Sequence, residues 1–176
     1  MPSYDRHLRA ARTISEAGGR LVGRTRLQKV VYLAQLAGFG SEFDFEYRHY
    51  GPFSEDLAAG MDIAAGLGIV TEAERRAEWG GRYSVYSATD LTPQATDPAR
   101  ARFVAEAAKI GPIELELAAT AAFLYDVKGI GHRRGDPWEE TAMLKPEKAG
   151  NGHLERAKAA YQKLRALETP APLPEI

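Results

Sequence analysis

Apolar side chains recur along this chain mostly at three- and four-residue intervals and only in short stretches at two-residue intervals, so helices dominate the predicted structure. In "YDRHLRAARTISEAGG" Leu8, Ala11 and Ile14 keep helical spacing until Gly18-Gly19 ends it. "RTRLQKVVYLAQLAGFG" repeats the pattern with Leu27, Val30, Val31, Ala34 and Ala37; Thr25 stands where a cap is needed and Gln28 three residues on, the spacing of a capping box. The period then changes to two. In "FDFEYRHY" Phe43, Phe45, Tyr47 and His49 alternate with Asp44, Glu46, Arg48 and Tyr50, which predicts a half-buried strand. Gly51-Pro52 breaks it, and Ser54 opens a helix with Leu57, Met61 and Ala64 inward and Glu55 and Asp56 in the first turn, where the helix dipole favours acids. "GIVTEAERRAEWGGRYSVYSATDL" reads as a hairpin whose two strands are joined through Gly80-Gly81.

The second half is helical throughout. Asp97-Pro98 and Asp136-Pro137 each place a capping acid before a proline at the first helical position. "IELELAATAAFLYDVKG" is apolar nearly all round from Leu115 to Val127 and predicts a central buried helix. Pro146 is expected to stop the helix after Asp136. A last helix carries Leu154, Ala157, Tyr161 and Leu164 on one stripe, a pattern open between the core and a homodimer contact. The order of elements predicts a mainly α fold with a minor β component: a winged-helix-like core with a small β-hairpin wing over 1–92, and a helical C-terminal half over 97–168. Together these make a single domain over 1–168, followed by a Pro-rich flexible tail over 169–176.

Composition narrows the chemistry. There is no cysteine, which excludes thiol catalysis, disulfides and cysteine-based metal sites. The four histidines, His7, His49, His132 and His153, are scattered singly without metal-ligand spacing, so neither a metal nor another cofactor is expected. No stretch approaches 18 uninterrupted apolar residues and the start of the chain lacks an apolar signal core; a cytoplasmic protein without a membrane partner is expected. The formal net charge is −1, but residues 1–29 hold seven basic residues against two acidic ones.

The stretch "YRHYGPFSEDL" gathers the most polar and aromatic groups. As catalysis it would need His49 as a base beside a carboxylate and a tyrosine, the basis of a hydrolase reading. Along a strand, however, His49 and Tyr47 share one face and Tyr50 points to the other. With no nucleophile elbow, P-loop or paired-carboxylate motif, the chain is read as a non-enzyme. As structure, Gly51 and Pro52 set the backbone and Ser54 caps the following helix. A DNA-binding transcription regulator is the rival reading, with Arg20, Arg24, Arg26, Arg133 and Arg134 as nucleic-acid contacts. Against it, residues 54–67 hold Glu55, Asp56 and Asp62 and no lysine or arginine, whereas DNA is bound largely through cations on phosphate and bases.

"TRLQKVVYLAQLAGF", "YRHYGPFSEDL", "LELAATAAFLY" and "LKPEK" resemble, in that order, the YwgA-like proteins and the related Panacea-domain proteins of bacteria. The most specific element is the pair formed by Leu-Gln-Lys-x-x-Tyr and, about twenty residues on, Tyr-Gly-Pro-x-Ser before a helix. The resemblance implies a protein without known catalysis; Panacea members act as antitoxins that bind and neutralise a toxin. The positions that carry over are Gln28, Lys29, Tyr32, Tyr50, Gly51, Pro52 and Ser54. "HYGPFS" stands where Panacea proteins have a tryptophan and Gly-Pro-Val, placing the chain nearer the YwgA-like branch. The expected function is thus a protein-binding module, antitoxin-like or regulatory, with Lys29, Tyr32, Tyr50 and Ser54 as partner-binding residues.

Overall fold

The computed structural model describes residues 5–131 and 134–176. Within them the order is α1 (Arg6–Glu16), β1 (Arg20–Val22), α2 (Arg24–Leu36), β2 (Glu46–Arg48), β3 (Gly51–Phe53), α3 (Glu55–Gly66), β4 (Val70–Arg76), β5 (Arg82–Ala88), α4 (Pro98–Ala108), α5 (Pro112–Asp126), α6 (Pro137–Leu144), α7 (Pro146–Ala149) and α8 (His153–Arg165). The strands form two antiparallel sheets, one of three strands in the order β1-β5-β4 and one of two, β2-β3.

The mainly α character with a minor β component is as expected, but the expected winged-helix-like core with a free hairpin wing and a separate helical half is not what forms. Two features overturn that expectation. Residues 20–22, which look like a turn between glycines, are an extended strand that pairs Arg20 with Ser87 and Val22 with Val85. The β4–β5 hairpin is therefore the body of a sheet rather than a free wing. Residues 43–50 are also not one strand. The chain turns at His49-Tyr50 and pairs Glu46 with Phe53 and Arg48 with Gly51, so a second hairpin stands between α2 and α3. That hairpin leans on α5 of the C-terminal half, and α2 touches both α4 and α5, so residues 1–92 do not close on themselves.

The core explains why. The periodicity of α2 predicts one apolar face, but every residue from Leu27 to Ala34 is buried. Leu27 and Val31 join Ile14, Leu57, Met61, Val70 and Tyr86 beneath the three-stranded sheet. Val30, Leu33 and Ala34 join Phe103, Leu117, Phe123, Trp138 and Tyr161 among the C-terminal helices. One helix serves as wall to both clusters, and its polar residues Gln28 and Lys29 are enclosed with it.

The capping predictions hold locally. Ser54, Asp97 and Asp136 each accept backbone N–H bonds from the first turn of α3, α4 and α6. Pro146, expected to end a helix, also opens α7, because its fixed φ suits a first helical turn as well as it interrupts the preceding one. The stripe on α8 is spent on the core, where Tyr161 meets Trp138 with ring centres 5.9 Å apart. The tail expected to be flexible is docked: Leu173 is buried, the Ala171 amide donates to Ala37 O at 3.0 Å, and the Tyr161 hydroxyl donates to Pro174 O at 2.7 Å. Proline removes donors from the tail, so one apolar anchor and these few bonds hold it.

Candidate functional site

The strand-to-helix joint at Gly51–Ser54 is assembled from α2 on one side and α5 on the other. Ser54 is extended, with φ −119° and ψ 120°, and its hydroxyl accepts from Leu57 N at 3.3 Å. Its own backbone needs partners because β3 has ended there. Gln28 meets both groups: its Nε2 donates to Ser54 O at 3.0 Å, beside the Ala58 amide at 3.2 Å, and its Oε1 accepts from Ser54 N at 2.8 Å. The capping box expected from Thr25 and Gln28 is thereby corrected. The N-cap of α2 is Gly23 without a side-chain bond, and Gln28 acts across 26 residues instead of three. The next residue, Lys29, donates from Nζ to Pro52 O at 2.9 Å. Two consecutive side chains of α2 thus hold the backbone on either side of Phe53.

From the other side, α5 presents Glu116 and, one turn on, Thr120. Gly51 has φ +94°, a region that favours glycine, and a Cβ there would lie 2.7 Å from Thr120 Oγ1. Glu116 is buried and takes two ammonium groups: Lys145 at 2.8 Å and Lys148 at 2.8 Å. Lys145 reaches inward from the break between α6 and α7 and also donates to His49 O at 2.9 Å. The Lys148 ammonium sits 4.8 Å from the centre of the Tyr50 ring, and Lys145 lies 6.0 Å from that of Tyr47. The turn of the hairpin is therefore clamped by lysines from three places in the sequence.

Three lysines surround one carboxylate, and the imbalance shows in Lys29. Burial brings its amine down to about 8; Glu116 pulls the other way, while Lys145 and Lys148 reinforce the fall. Lys29 also lines a cleft of about 240 Å³ between α2, β3 and α3, together with Arg24, Arg48, Tyr50, Phe53 and Tyr86.

The partner-binding residues expected from sequence occupy unequal positions. Lys29 is 2% exposed, Ser54 is fully enclosed, and Tyr32 is buried between Phe45 and Phe123, at ring distances of 5.2 and 5.8 Å. Tyr50 is 57% exposed. Lys29, Tyr50 and Ser54 do converge on one joint; Tyr32 packs beneath the start of the hairpin. Burial pushes the Tyr32 phenol upward, and its hydroxyl has no partner among the described residues. His49 enters through its backbone carbonyl, and among the described residues the imidazole paired with a carboxylate is instead that of His153, 2.7 Å from Glu114.

Of the arginines expected to meet nucleic acid, Arg24 and Arg26 are engaged within the molecule. Arg24 bonds Glu72 at 2.7 Å and lies 3.6 Å from Asp62. Arg26 donates to Val22 O, Ala108 O and Ile110 O, closing the end of α4. Arg20 is exposed on β1 and Arg134 is exposed in the α5–α6 connection, while Arg133 lies outside the described residues. The acids of α3 are paired in turn: Glu55 with Arg48 at 2.8 Å, Asp56 with Arg6 at 2.9 Å and Asp62 with Arg24. Among the described residues no helix is long and apolar enough to cross a membrane, and no group of three or more potential metal ligands converges.

Sequence reasoning missed Glu116, Lys145 and Lys148 as members of the site. A signal existed: Glu116 is a carboxylate within the most apolar helix, and Lys145 and Lys148 belong to the "LKPEK" stretch.

Fold and site together define a small α+β protein that displays a hairpin locked from below by buried polar side chains. The chain is similar to the uncharacterized protein YwgA of Bacillus subtilis (strain 168), with 29% identity over 70 residues. That match takes in 40% of this chain and spans 42% of the length of the curated relative, and it supports a YwgA-like relationship. No family model matches.

Proposed function

We propose that the protein is a non-catalytic protein-binding module that meets its partner through the β2–β3 hairpin. The observation that carries this reading is the contrast within the hairpin turn. Tyr50 is exposed, yet the backbone beneath it is held by Lys29, Lys145 and Gln28. A large amphipathic ring on a preorganised backbone loses little entropy on binding, which is the behaviour of an interface anchor. Tyr47, on the same hairpin, shares a surface depression with Leu144, Lys145 and Glu147, and Leu144 is half exposed. An aromatic and aliphatic surface with charged groups around it suits a protein partner better than a phosphate backbone. The pairing of Arg24 and Arg26 within the molecule also favours protein over DNA.

The resemblance to Panacea-domain proteins supports an antitoxin-like version, with a toxin as partner in a bacterial cytoplasm, and a regulatory role as the broader form. Affinity capture from the source bacterium tests the module. Tyr50→Ala combined with Leu144→Asp is expected to lose the partner that the wild-type chain retains, with folding unchanged. Equal capture by both removes the hairpin as the interface. For the antitoxin version, a neighbouring small reading frame is expected to arrest growth alone and to be rescued by co-expression; unimpaired growth removes that version.

A further inference from the structure

Lys29 is the strangest charge in this molecule. A buried ammonium is normally paired with a carboxylate or neutralised. Lys29 is 2% exposed and donates one hydrogen bond, to the neutral carbonyl of Pro52. Among the described residues no carboxylate forms an ion pair with it. The nearby acid, Glu116 on α5, is taken up by Lys145 and Lys148 from the α6–α7 region. The other charged groups around the cleft are Arg24 on α2 and Arg48 on β2, with the phenols of Tyr50 and of Tyr86 on β5. Both arginines keep their acid partners, Glu72 and Asp62 for Arg24, Glu46 and Glu55 for Arg48, and none of these four carboxylates lines the cleft. The wall thus carries three cations and no anion; Thr25 and Gln28 add neutral polar groups, and Leu27, Phe53, Ala58 and the two tyrosine rings make the rest largely apolar.

We propose that this cleft binds a small carboxylate with a flat apolar body, whose carboxyl group serves as the counter-ion of Lys29. The volume, about 240 Å³, lies below the usual range for drug-sized ligands, which limits the occupant to a small molecule. The aromatic lining suits the flat body. Because Arg24 and Arg48 are already paired with acids, Lys29 is the free cation among the described residues of the cleft, and one deep ammonium suits a carboxylate better than a phosphate dianion. Tyr50 is shared between this cleft and the exposed hairpin turn, so an occupant lies directly behind the proposed partner surface. The ligand site stands independently of the partner reading: the cleft and the unpaired lysine remain whether or not the hairpin binds a protein.

The test uses the whole chain with three probes: phenylacetate, its neutral isostere phenylacetamide, and inorganic phosphate. Calorimetry is expected to show saturable binding of phenylacetate and none of the other two. In buffers of different ionisation enthalpy at pH 8, binding is expected to draw about half a proton from solution, because an anion beside Lys29 restores its charge. Lys29→Met is expected to weaken phenylacetate by about ten- to a hundredfold, the loss of one charge-assisted hydrogen bond. Equal binding of the acid and the amide overturns the proposal, as does no saturable binding of phenylacetate. Undiminished affinity in a folded Lys29→Met overturns it too, and if that variant does not fold, absence of proton uptake by the wild type does so alone.

Discussion

Helix α5 faces two kinds of neighbour. Toward α6 and α8 it buries Leu115 and Leu117 in one cluster with Trp138 and Tyr161. Toward the β2–β3 hairpin it presents Glu116 and Thr120, met by Lys145, Lys148 and Gly51. The apolar side is held by burial, which is non-directional and tolerates many packings of similar volume. The hairpin side is held by hydrogen bonds and ion pairs that work in one geometry only and cost heavily when half broken. Stability alone is served by the first. The second fixes where Tyr50 stands, and it keeps an unpaired charge on Lys29 that a core built purely for stability would not contain.

The largest expected effect separates the two sides by charge. Glu116→Ala leaves Lys145 and Lys148 without their carboxylate and is expected to cost about 3–5 kcal/mol in denaturant unfolding. Leu117→Ala, its apolar neighbour, is expected to cost about 2–5 kcal/mol through an empty cavity. The comparison is sharpened by rescue. Glu116→Gln keeps the volume but not the charge, so it is expected to recover little, whereas Leu117→Met recovers most of the loss. If Glu116→Gln is as stable as wild type, the ion cluster does not hold the hairpin.

Next in size is Gln28→Ala, which leaves the buried Ser54 N–H without its acceptor and takes one of the two donors from Ser54 O, the other being Ala58 N, and is expected to cost about 1–3 kcal/mol. Hydrogen exchange at the Ser54 amide should speed up in that variant while amides of α8 stay protected. Uniform acceleration throughout the chain would erase the distinction between the regions. Smallest is Ser54→Ala, at about 1 kcal/mol, since it removes one capping acceptor and leaves Gln28 in place.

What the sequence disclosed followed from the range of each interaction. Ser54, Asp97 and Asp136 were legible as caps because the acceptor and the amides it serves lie within three residues. The burial of α5 was legible from its apolar character nearly all round from Leu115 onward, despite Glu116. Gln28 misled because its spacing from Thr25 imitates a local cap while its true partner, Ser54, is 26 residues away. The alternation over 43–50 has the correct period for β structure, but Gly51 at positive φ moves the turn back to His49-Tyr50 and divides the segment. β1 escaped because three residues between glycines carry too short a pattern, and its pairing with β5 is 63 to 67 residues distant in the chain. Of the site, Lys29, Tyr50 and Ser54 were visible, whereas Glu116, Lys145 and Lys148 became members only once α5 and α7 were packed against the hairpin.

The central claim is that Lys29 is held buried and unpaired beneath the hairpin, and the pH dependence of stability tests it most directly. Lysine in an unfolded chain titrates near 10.4, and in the fold Lys29 is brought down to about 8. Below pH 8 both states are protonated and the folded protein carries the full cost of the desolvated charge. Between pH 8 and about 10.4 the folded state releases its proton while the unfolded chain keeps its own, so stability from this group rises with pH. The unfolding free energy of wild type minus that of Lys29→Met, measured in urea, is expected to grow by about 2–3 kcal/mol from pH 7 to pH 10. A difference that stays level across that range would mean that Lys29 titrates as an ordinary surface lysine, and the account of the hairpin lock would be contradicted.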